Sequence, residues 1–113
     1  MKVSEEHIDE ILGPDGNELA RYKVLLGKQN GVKGVTLIIG NISPGGETKP
    51  HSHEGEEELY YVISGTGLWK IGGKEFIGNP GTALFVPPNI EHAMINNEAE
   101  NLKIVLIQSP ASL

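Results

Sequence analysis

Glycine and proline divide this chain into short apolar runs, and this division constrains its fold more than any other feature. The 113 residues include 15 glycines and 7 prolines, grouped in turn signals such as the Pro-Asp-Gly of residues 14–16. The longest apolar runs, residues 59–63 and 104–107, are far too short to span a bilayer. Short runs rich in β-branched and aromatic residues between tight turns are typical of strands, so the sequence predicts an all-β fold.

Eight strands can be assigned from these runs, with room for a ninth, and their close spacing indicates a sandwich or a barrel. Periodicity alone does not choose between the two architectures. A length of 113 residues suits one compact domain over 1–113, and so small a domain gains stability from pairing with itself. The predicted strands cover residues 19–27, 34–42, 58–64, 66–71, 74–77, 82–86, 92–95 and 102–108.

The N-terminal segment is predicted as either a short helix or an irregular lead-in. Ser4 would cap a helix over residues 4–12, the nearby acids would lie at its positive end, and Gly13-Pro14 would end it. Residues 1–10 have no apolar segment, so we expect no secretory signal and predict a cytoplasmic protein. The absence of cysteine is compatible with that location and excludes disulfides, thiolate metal sites and a cysteine nucleophile.

The charge of the chain disfavours two classes of partner. The net charge is −6, and the nine Lys and Arg residues are scattered rather than clustered. A nucleic-acid binder needs a positive face, and a membrane-surface helix needs a basic amphipathic stretch, neither of which is present in the sequence. We therefore expect a small-molecule ligand, with no nucleic acid and no membrane as partner.

Three of the four histidines fall beside predicted turns and strand starts, and this pattern indicates a metal site. His51 and His53 are two residues apart, and alternate side chains of a strand share a face, so their rings can converge on one point. Imidazole nitrogen binds a divalent metal at about 2.0–2.1 Å. His92 begins a later predicted strand, and His7 is interpreted as an exposed residue of the lead-in. The competing interpretation is that these histidines are surface or satisfied core residues.

A metal needs three or four ligating groups, and Glu58 is a candidate carboxylate, with which Glu54, Glu56 and Glu57 compete. Glu58 begins the strand that follows the histidine pair, with Tyr60 on the same face. Glu57 is the alternative, although its side chain should face the opposite way.

The stretch 45–65 reads G-x5-H-x-H-x4-E-x6-G, with its defined positions at Gly45, His51, His53, Glu58 and Gly65. This pattern resembles the first motif of the cupin superfamily at every defined position. A single His-x-His pair would be weak evidence, but a second motif follows in the expected order.

The stretch 81–96 reads G-x5-P-x-N-x2-H-x3-N, with Gly81, Pro87, Asn89, His92 and Asn96 at its defined positions. It is similar to the second cupin motif except at Asn89, where the family usually has glycine. We expect that glycine to serve a turn with positive φ, a conformation that asparagine tolerates.

The resemblance to a small microbial cupin implies a jelly-roll β-barrel that holds a metal ion inside. It implies His51, His53, Glu58 and His92 as the ligands, and often a homodimer. Three neutral imidazoles and one carboxylate leave a divalent ion with a net charge of about +1 and, if it is octahedral, about two open positions. Oxygen and nitrogen ligands do not select among Mn, Fe, Ni, Zn and Cu.

Other residues near the motifs are weaker candidates for the pocket. Tyr60, Trp69 and Met94 are possible lining residues, although packing in the core would explain each of them as well. Tyr61 is expected to pack away from the metal. Arg21, the only arginine, could clamp a carboxylate, but an exposed role is favoured. Four acids close to the proposed ligands would repel highly charged anions if they surround the mouth, which disfavours sugar phosphates; they are Glu54, Glu56, Glu57 and Glu91.

Three functions remain open at this stage. The first is a metal-dependent enzyme, of the oxygenase or isomerase type, acting on a small oxygenated organic molecule. The second is a non-catalytic module that binds a small sugar-type ligand, and the third is a barrel whose metal is structural. Open metal positions favour the first over the third, but nothing in the sequence separates the first from the second.

Overall fold

The computed structural model describes all residues from Met1 to Leu113, and its regular secondary structure consists almost entirely of antiparallel strands. Two short 3-10 turns, Glu5–His7 and Lys28–Asn30, are the helical segments. None of its helices has the length and apolar character needed to cross a membrane. In chain order the strands are β1 (Ile11–Leu12), β2 (Ala20–Leu26), β3 (Thr36–Ile42), β4 (Glu47–His51), β5 (Glu57–Ser64), β6 (Gly67–Ile71), β7 (Lys74–Gly78), β8 (Ala83–Val86), β9 (His92–Ile95) and β10 (Leu102–Ser109).

The strands form a six-stranded sheet in the order β1-β2-β3-β10-β5-β8 and a four-stranded sheet in the order β4-β9-β6-β7. Neighbours in a sheet are mostly distant in sequence, because the chain crosses repeatedly from one sheet to the other. The inner faces of the two sheets pack together in one cluster of 13 buried residues. This is the jelly roll that the two motifs predicted, and the all-β prediction is confirmed.

Trp69 of β6 is the largest fully buried side chain, and it lies between the two sheets. Its ring packs edge-on against Tyr60 of β5, with 5.6 Å between ring centroids. Glycine is required beside it, because a Cβ at Gly78 would lie 2.6 Å from the Trp69 ring. The apolar core is therefore built around this tryptophan.

Two sequence predictions need correction. Of the two alternatives for the N-terminal segment, the helix over residues 4–12 is wrong and the lead-in is closer to the structure, because only Glu5–His7 form a single 3-10 turn and the Ser4 side chain makes no capping bond. Ile11 and Leu12 instead pair with Tyr22 and Arg21 of β2. A helix so short is marginal in water without tertiary packing, whereas sheet pairing supplies backbone hydrogen bonds from a partner strand. The second correction is β4, which was not among the predicted strands because its sequence Glu-Thr-Lys-Pro-His lacks an apolar pattern.

Asn96 connects the two sheets through buried hydrogen bonds. Its side-chain amide donates to the backbone carbonyls of Ile42 and Glu100, both at 2.8 Å, and its carbonyl oxygen accepts from the Glu98 amide at 3.1 Å. Ile42 ends β3 of the six-stranded sheet, and Asn96 directly follows β9 of the four-stranded sheet. The side chain is fully buried, so water cannot replace these partners.

We expect Asn96→Ala to lower the free energy of unfolding by about 2–4 kcal/mol, because it leaves buried backbone groups without partners. Urea unfolding followed by circular dichroism measures this loss. Asn97→Ala is the matched control, since Asn97 is exposed, and it should change stability by less than about 0.5 kcal/mol. Equal losses in the two variants would contradict the bridging role of Asn96.

Candidate metal centre

The side chains of the predicted metal site come from both sheets. His51 is the last residue of β4 and His92 is the first residue of β9, and the two are register partners. Glu58 is the second residue of β5 in the opposite sheet. His53 lies two residues beyond β4, so the prediction that His51 and His53 share the face of one strand is wrong: the chain leaves the sheet after His51. A loop, not a strand face, brings His53 to the other three residues.

The four side chains converge tightly. One ligand atom from each of His51, His53, Glu58 and His92 lies within 4.8 Å of all the others. Nε2 of His92 is 2.6 Å from Oε1 of Glu58, and Nε2 of His53 is 3.6 Å from the same oxygen. Glu57, the alternative carboxylate, is exposed on the outer face of β5 and is absent from the cluster. Strand alternation therefore selects Glu58.

Two of the histidines are held by carbonyls of their own chain segments. Nδ1 of His51 lies 2.7 Å from the Lys49 carbonyl oxygen, and Nδ1 of His92 lies 2.9 Å from that of Ile90. A carbonyl oxygen only accepts, so in each ring Nδ1 carries the hydrogen and donates it. When the ring is neutral, this leaves the Nε2 lone pair free to bind a metal.

The Glu58 carboxylate is oriented by a short hydrogen-bond chain. The Gln108 side-chain amide donates to Glu58 Oε2 at 3.0 Å, and the Ser112 hydroxyl donates to Gln108 Oε1 at 2.6 Å. Gln108 is also the register partner of Glu58 across β10 and β5. One carboxylate oxygen is thus fixed by the protein, and the other faces the three imidazoles.

Burial and contact act in opposite directions on the charges of this cluster. Burial raises the pKa of Glu58, but the contacts with His92 and Gln108 lower it further than burial raises it, so the net pKa lies below its usual value. Burial lowers the pKa of His92, but the contact with Glu58 and the bond to the Ile90 carbonyl raise it above its usual value. Without a metal the pair therefore favours a charged carboxylate and a protonated imidazole. A metal ion must displace that proton to bind His92.

The hydrogen bonding of two of the ligand atoms also indicates that the cluster can hold a metal ion. Glu58 Oε1 and His92 Nε2 are both buried, and neither makes a hydrogen bond of good geometry. Their 2.6 Å separation is an ion-pair contact in which both atoms point to the space shared with the other two rings. Buried polar atoms without hydrogen-bond partners are rare in proteins, and a cation bound by all four residues would satisfy both of them.

Asn89 joins the two loops that carry His53 and His92. It is the single non-glycine residue with positive φ, at 65°, as its place in the second motif predicted. The backbone N–H of Asn89 donates to the His53 carbonyl at 3.0 Å. Its side-chain oxygen accepts a hydrogen bond from the backbone N–H of Gly55 at 3.2 Å. The second of these bonds needs a side chain, so asparagine supplies a contact that the usual glycine lacks.

The candidate metal cluster, which is the set of His51, His53, Glu58 and His92, opens onto a cavity of about 540 Å³. His51, His53 and Glu58 form part of its wall, and His92 does not line it. Of the predicted pocket residues, Tyr60 lines the cavity, whereas Trp69 and Met94 do not, because both lie in the apolar core.

Several wall residues were not found from the sequence. Tyr22 and Val24 of β2 and Leu106 of β10 line the cavity, and only the inward parity of their strands could have indicated this. Burial raises the pKa of Tyr22, and the negative charges of Asp15 and Glu58 raise it further. Burial and the charge of Glu58 raise the pKa of Tyr60 in the same way. Both hydroxyls therefore stay protonated at neutral pH.

The charged candidates lie outside the cavity wall. Arg21 is exposed and donates to the Glu18 carbonyl at 3.1 Å, so it does not clamp a ligand in the cavity. The expected ring of acids at the mouth is also absent, since none of the four lines the cavity. Glu56 instead lies 3.4 Å from Nδ1 of His53. The charged residues that do line the cavity, apart from the cluster, are Asp15 and Lys49.

We expect Gln108→Leu to weaken metal binding about 10- to 100-fold, because Glu58 Oε2 loses its donor and the carboxylate is no longer held in place. Titration calorimetry with Zn²⁺ on metal-free protein measures the change in Kd. Gln29→Leu, at an exposed position, is the control and should leave the Kd unchanged. An unaltered Kd in Gln108→Leu, with the fold intact by circular dichroism, would show that Gln108 does not orient the ligand.

Comparison with known proteins identifies relatives across nearly the whole chain. The sequence model of the Cupin domain family matches residues 38–108. An uncharacterized protein of Methanocaldococcus jannaschii is 31% identical over 97% of this chain and 89% of its own length. An oxalate-binding protein of Thermotoga maritima is 29% identical over 58% of this chain and 54% of its own length. Among solved structures, the polyketide cyclase RemF of Streptomyces resistomycificus superposes with a TM-score of 0.86 at 23% identity, covering 99% of this chain and 80% of its own.

Proposed function

The chain belongs to the cupin family, and from this premise we propose that residues 1–113 form one metal-dependent enzyme domain acting on a small oxygenated organic molecule. The metal ligands in this proposal are His51, His53, Glu58 and His92. One observation carries it: Glu58 Oε1 and His92 Nε2, which are buried and face each other at 2.6 Å without a hydrogen bond of good geometry, lie inside a four-donor cluster beside a cavity.

A bound divalent ion would supply Lewis-acid chemistry, polarising an oxygen atom of the ligand. The protein supplies the setting for that chemistry. The hydrogen bonds on Nδ1 of His51 and His92 fix the tautomer of each ring, and Gln108 fixes the carboxylate of Glu58. The protonated hydroxyl of Tyr60 is a neutral donor in the cavity wall.

The reaction type we favour is oxygenation or isomerisation. Either reaction is open to a ligand with adjacent oxygen atoms, which two open positions on one metal ion would bind together. The chain has no Cys, and Ser52, the serine of the cavity wall, makes no hydrogen bond to a histidine that would activate it for a covalent mechanism.

A second candidate function is non-catalytic binding of a small ligand. The similarity to an oxalate-binding protein favours it, because that relative is named for binding and not for turnover. The same metal cluster would then hold the ligand without transforming it.

His51→Ala and His92→Ala should each remove most of the bound metal while the barrel stays folded, because each deletes one of four ligands. Elemental analysis of protein purified without added metal measures the stoichiometry, which should be near one per chain in the wild type. His7→Ala is the control, since His7 is exposed and distant from the cluster, and it should keep the wild-type content. Full metal content in both cluster variants would remove His51 and His92 from the site.

The metal found in that experiment also directs the test between the two functions. With iron or manganese bound, dioxygen uptake in the presence of diketones or catechols would support the enzyme. A rise in Tm with the same compounds and no turnover would support the binding module instead.

We further propose that two copies pair through the outer face of the six-stranded sheet. Leu59, Tyr61 and Phe85 are 49%, 49% and 50% exposed there, and they belong to the eight apolar residues that line one groove. An apolar patch of this kind is typical of an interaction site. Because each chain carries a net charge of −6, two copies repel each other least when they meet on an uncharged face. In a dimer with a twofold axis, the same apolar patch of each copy forms both sides of the interface.

Phe85→Glu should convert a wild-type dimer into a monomer, because it places a charge in the middle of the apolar contact. Light scattering coupled to size-exclusion chromatography measures the mass. Ile77→Glu is the matched control, since Ile77 is 66% exposed on β7 of the other sheet, and it should remain dimeric. A monomeric wild type, or a dimeric Phe85→Glu, would contradict this interface.

A further inference from the structure

The cavity beside the metal cluster has two chemically different parts. One end carries the polar side chains of His51, His53, Glu58 and Gln108. Much of the remaining wall is aliphatic or aromatic. Val24, Ile38, Leu106 and the rings of Tyr22 and Tyr60 are its buried or half-buried apolar parts, and Ile11, Leu12 and Leu113 are its exposed ones. The other polar side chains of the wall are Asp15, Thr48, Lys49 and Ser52.

The volume of the cavity exceeds what the smallest chelating ligands need. At about 540 Å³ it lies in the range of sites that hold drug-sized molecules. A two-carbon dicarboxylate bound at the polar end would leave most of this volume to water against apolar walls, which is unfavourable. The cavity is therefore matched to a larger ligand.

The mouth of the cavity carries apolar side chains together with the exposed polar residues Asp15, Lys49 and Ser52. Ile11, Leu12 and Leu113 are 46%, 40% and 49% exposed, and all three line the cavity. These side chains remain partly in water in the free protein, so a ligand with an apolar body would gain free energy by covering them.

The charges near the cavity do not suit a phosphorylated ligand. Lys49 is the one cationic side chain, other than the histidines, that lines the cavity, and it is exposed. Its backbone amide donates to the Asp15 carboxylate at 3.1 Å, so an acid lies next to it. With no arginine and no basic cluster in the wall, a phosphate in the cavity would have Lys49 as its single cationic side chain, next to the Asp15 carboxylate.

We propose that the ligand is a mostly apolar molecule, of aromatic or alicyclic type, with two adjacent oxygen donors at one end. The oxygen donors lie at the metal cluster, and the apolar body lies along Val24, Ile38 and Leu106 towards Ile11 and Leu12. This inference rests on the proposed metal site, and it separates the ligand from oxalate and from sugar phosphates.

A pair of chelators with the same head and different bodies tests the proposal. Acetohydroxamate and benzohydroxamate both bind metals through two oxygens, and only the second adds an aromatic ring. On Zn²⁺-loaded protein, titration calorimetry should show benzohydroxamate binding at least about tenfold more tightly, after correction for the affinities of both compounds for free Zn²⁺. Equal corrected affinities, or tighter binding of oxalate than of benzohydroxamate, would overturn the proposal.

A substitution in the cavity wall tests where the aromatic ring of benzohydroxamate gains its affinity. Val24→Thr keeps the shape of the side chain and replaces one methyl group of the wall by a hydroxyl. It should therefore lower the affinity for benzohydroxamate about three- to tenfold and leave the affinity for acetohydroxamate unchanged. Val32→Thr is the control, because Val32 is half-buried outside the cavity, and it should change neither affinity. If Val24→Thr leaves benzohydroxamate unaffected, the ring does not lie on this wall and the proposal is wrong.

The failure of this inference can be distinguished from failure of the proposed function. If Zn²⁺ binds and acetohydroxamate binds, but the aromatic ring adds nothing, then the ligand class is wrong and the metal site stands. If Zn²⁺ does not bind to the four-residue cluster, then both proposals fall together.

Discussion

The candidate metal centre depends on one contact between the two sheets. The carboxylate of Glu58 lies 2.6 Å from the imidazole of His92. Both side chains are only 2% exposed, and removing an ion from water costs several kcal/mol. The cost is offset by their attraction and by the bonds from Gln108 and to the Ile90 carbonyl. A hydrophobic pair would close this end of the barrel more simply, so the buried charges are better explained by function than by stability.

The rest of the fold divides the interior into a packed end and an open end. Trp69, Met94 and Val62 belong to the apolar cluster that holds the sheets together, and none of them lines the cavity. Tyr60 belongs to both parts, since it packs on Trp69 and lines the cavity. Tyr22, Ile38 and Leu106 likewise belong to the apolar cluster and line the cavity, so the core and the cavity share one wall.

The sequence predicted those parts that depend on local pattern, and missed those that depend on partners. Alternation along β5 distinguished Glu58 from Glu57, and the two motifs predicted the jelly roll and the positive φ of Asn89. The strand β4 was missed because its charged and proline-containing sequence forms a strand only through pairing with β9. Tyr22 and Leu106 were missed for the same reason: their contribution to the cavity depends on how β2 and β10 are placed in the sheet, which local pattern does not encode.

The register of β5 sets both the inner site and the outer face at once. Because successive side chains point to opposite faces, Glu58 and Tyr60 face inward while Leu59 and Tyr61 face outward. A slip of one residue would bury the apolar patch and expose the carboxylate. The pairing of β10 with β5 does contain an irregularity, but it lies between Lys103 and Ile104, at the far end of the strand from the Gln108–Glu58 pair. The irregularity therefore leaves the register that holds the Glu58 carboxylate against Gln108 unchanged.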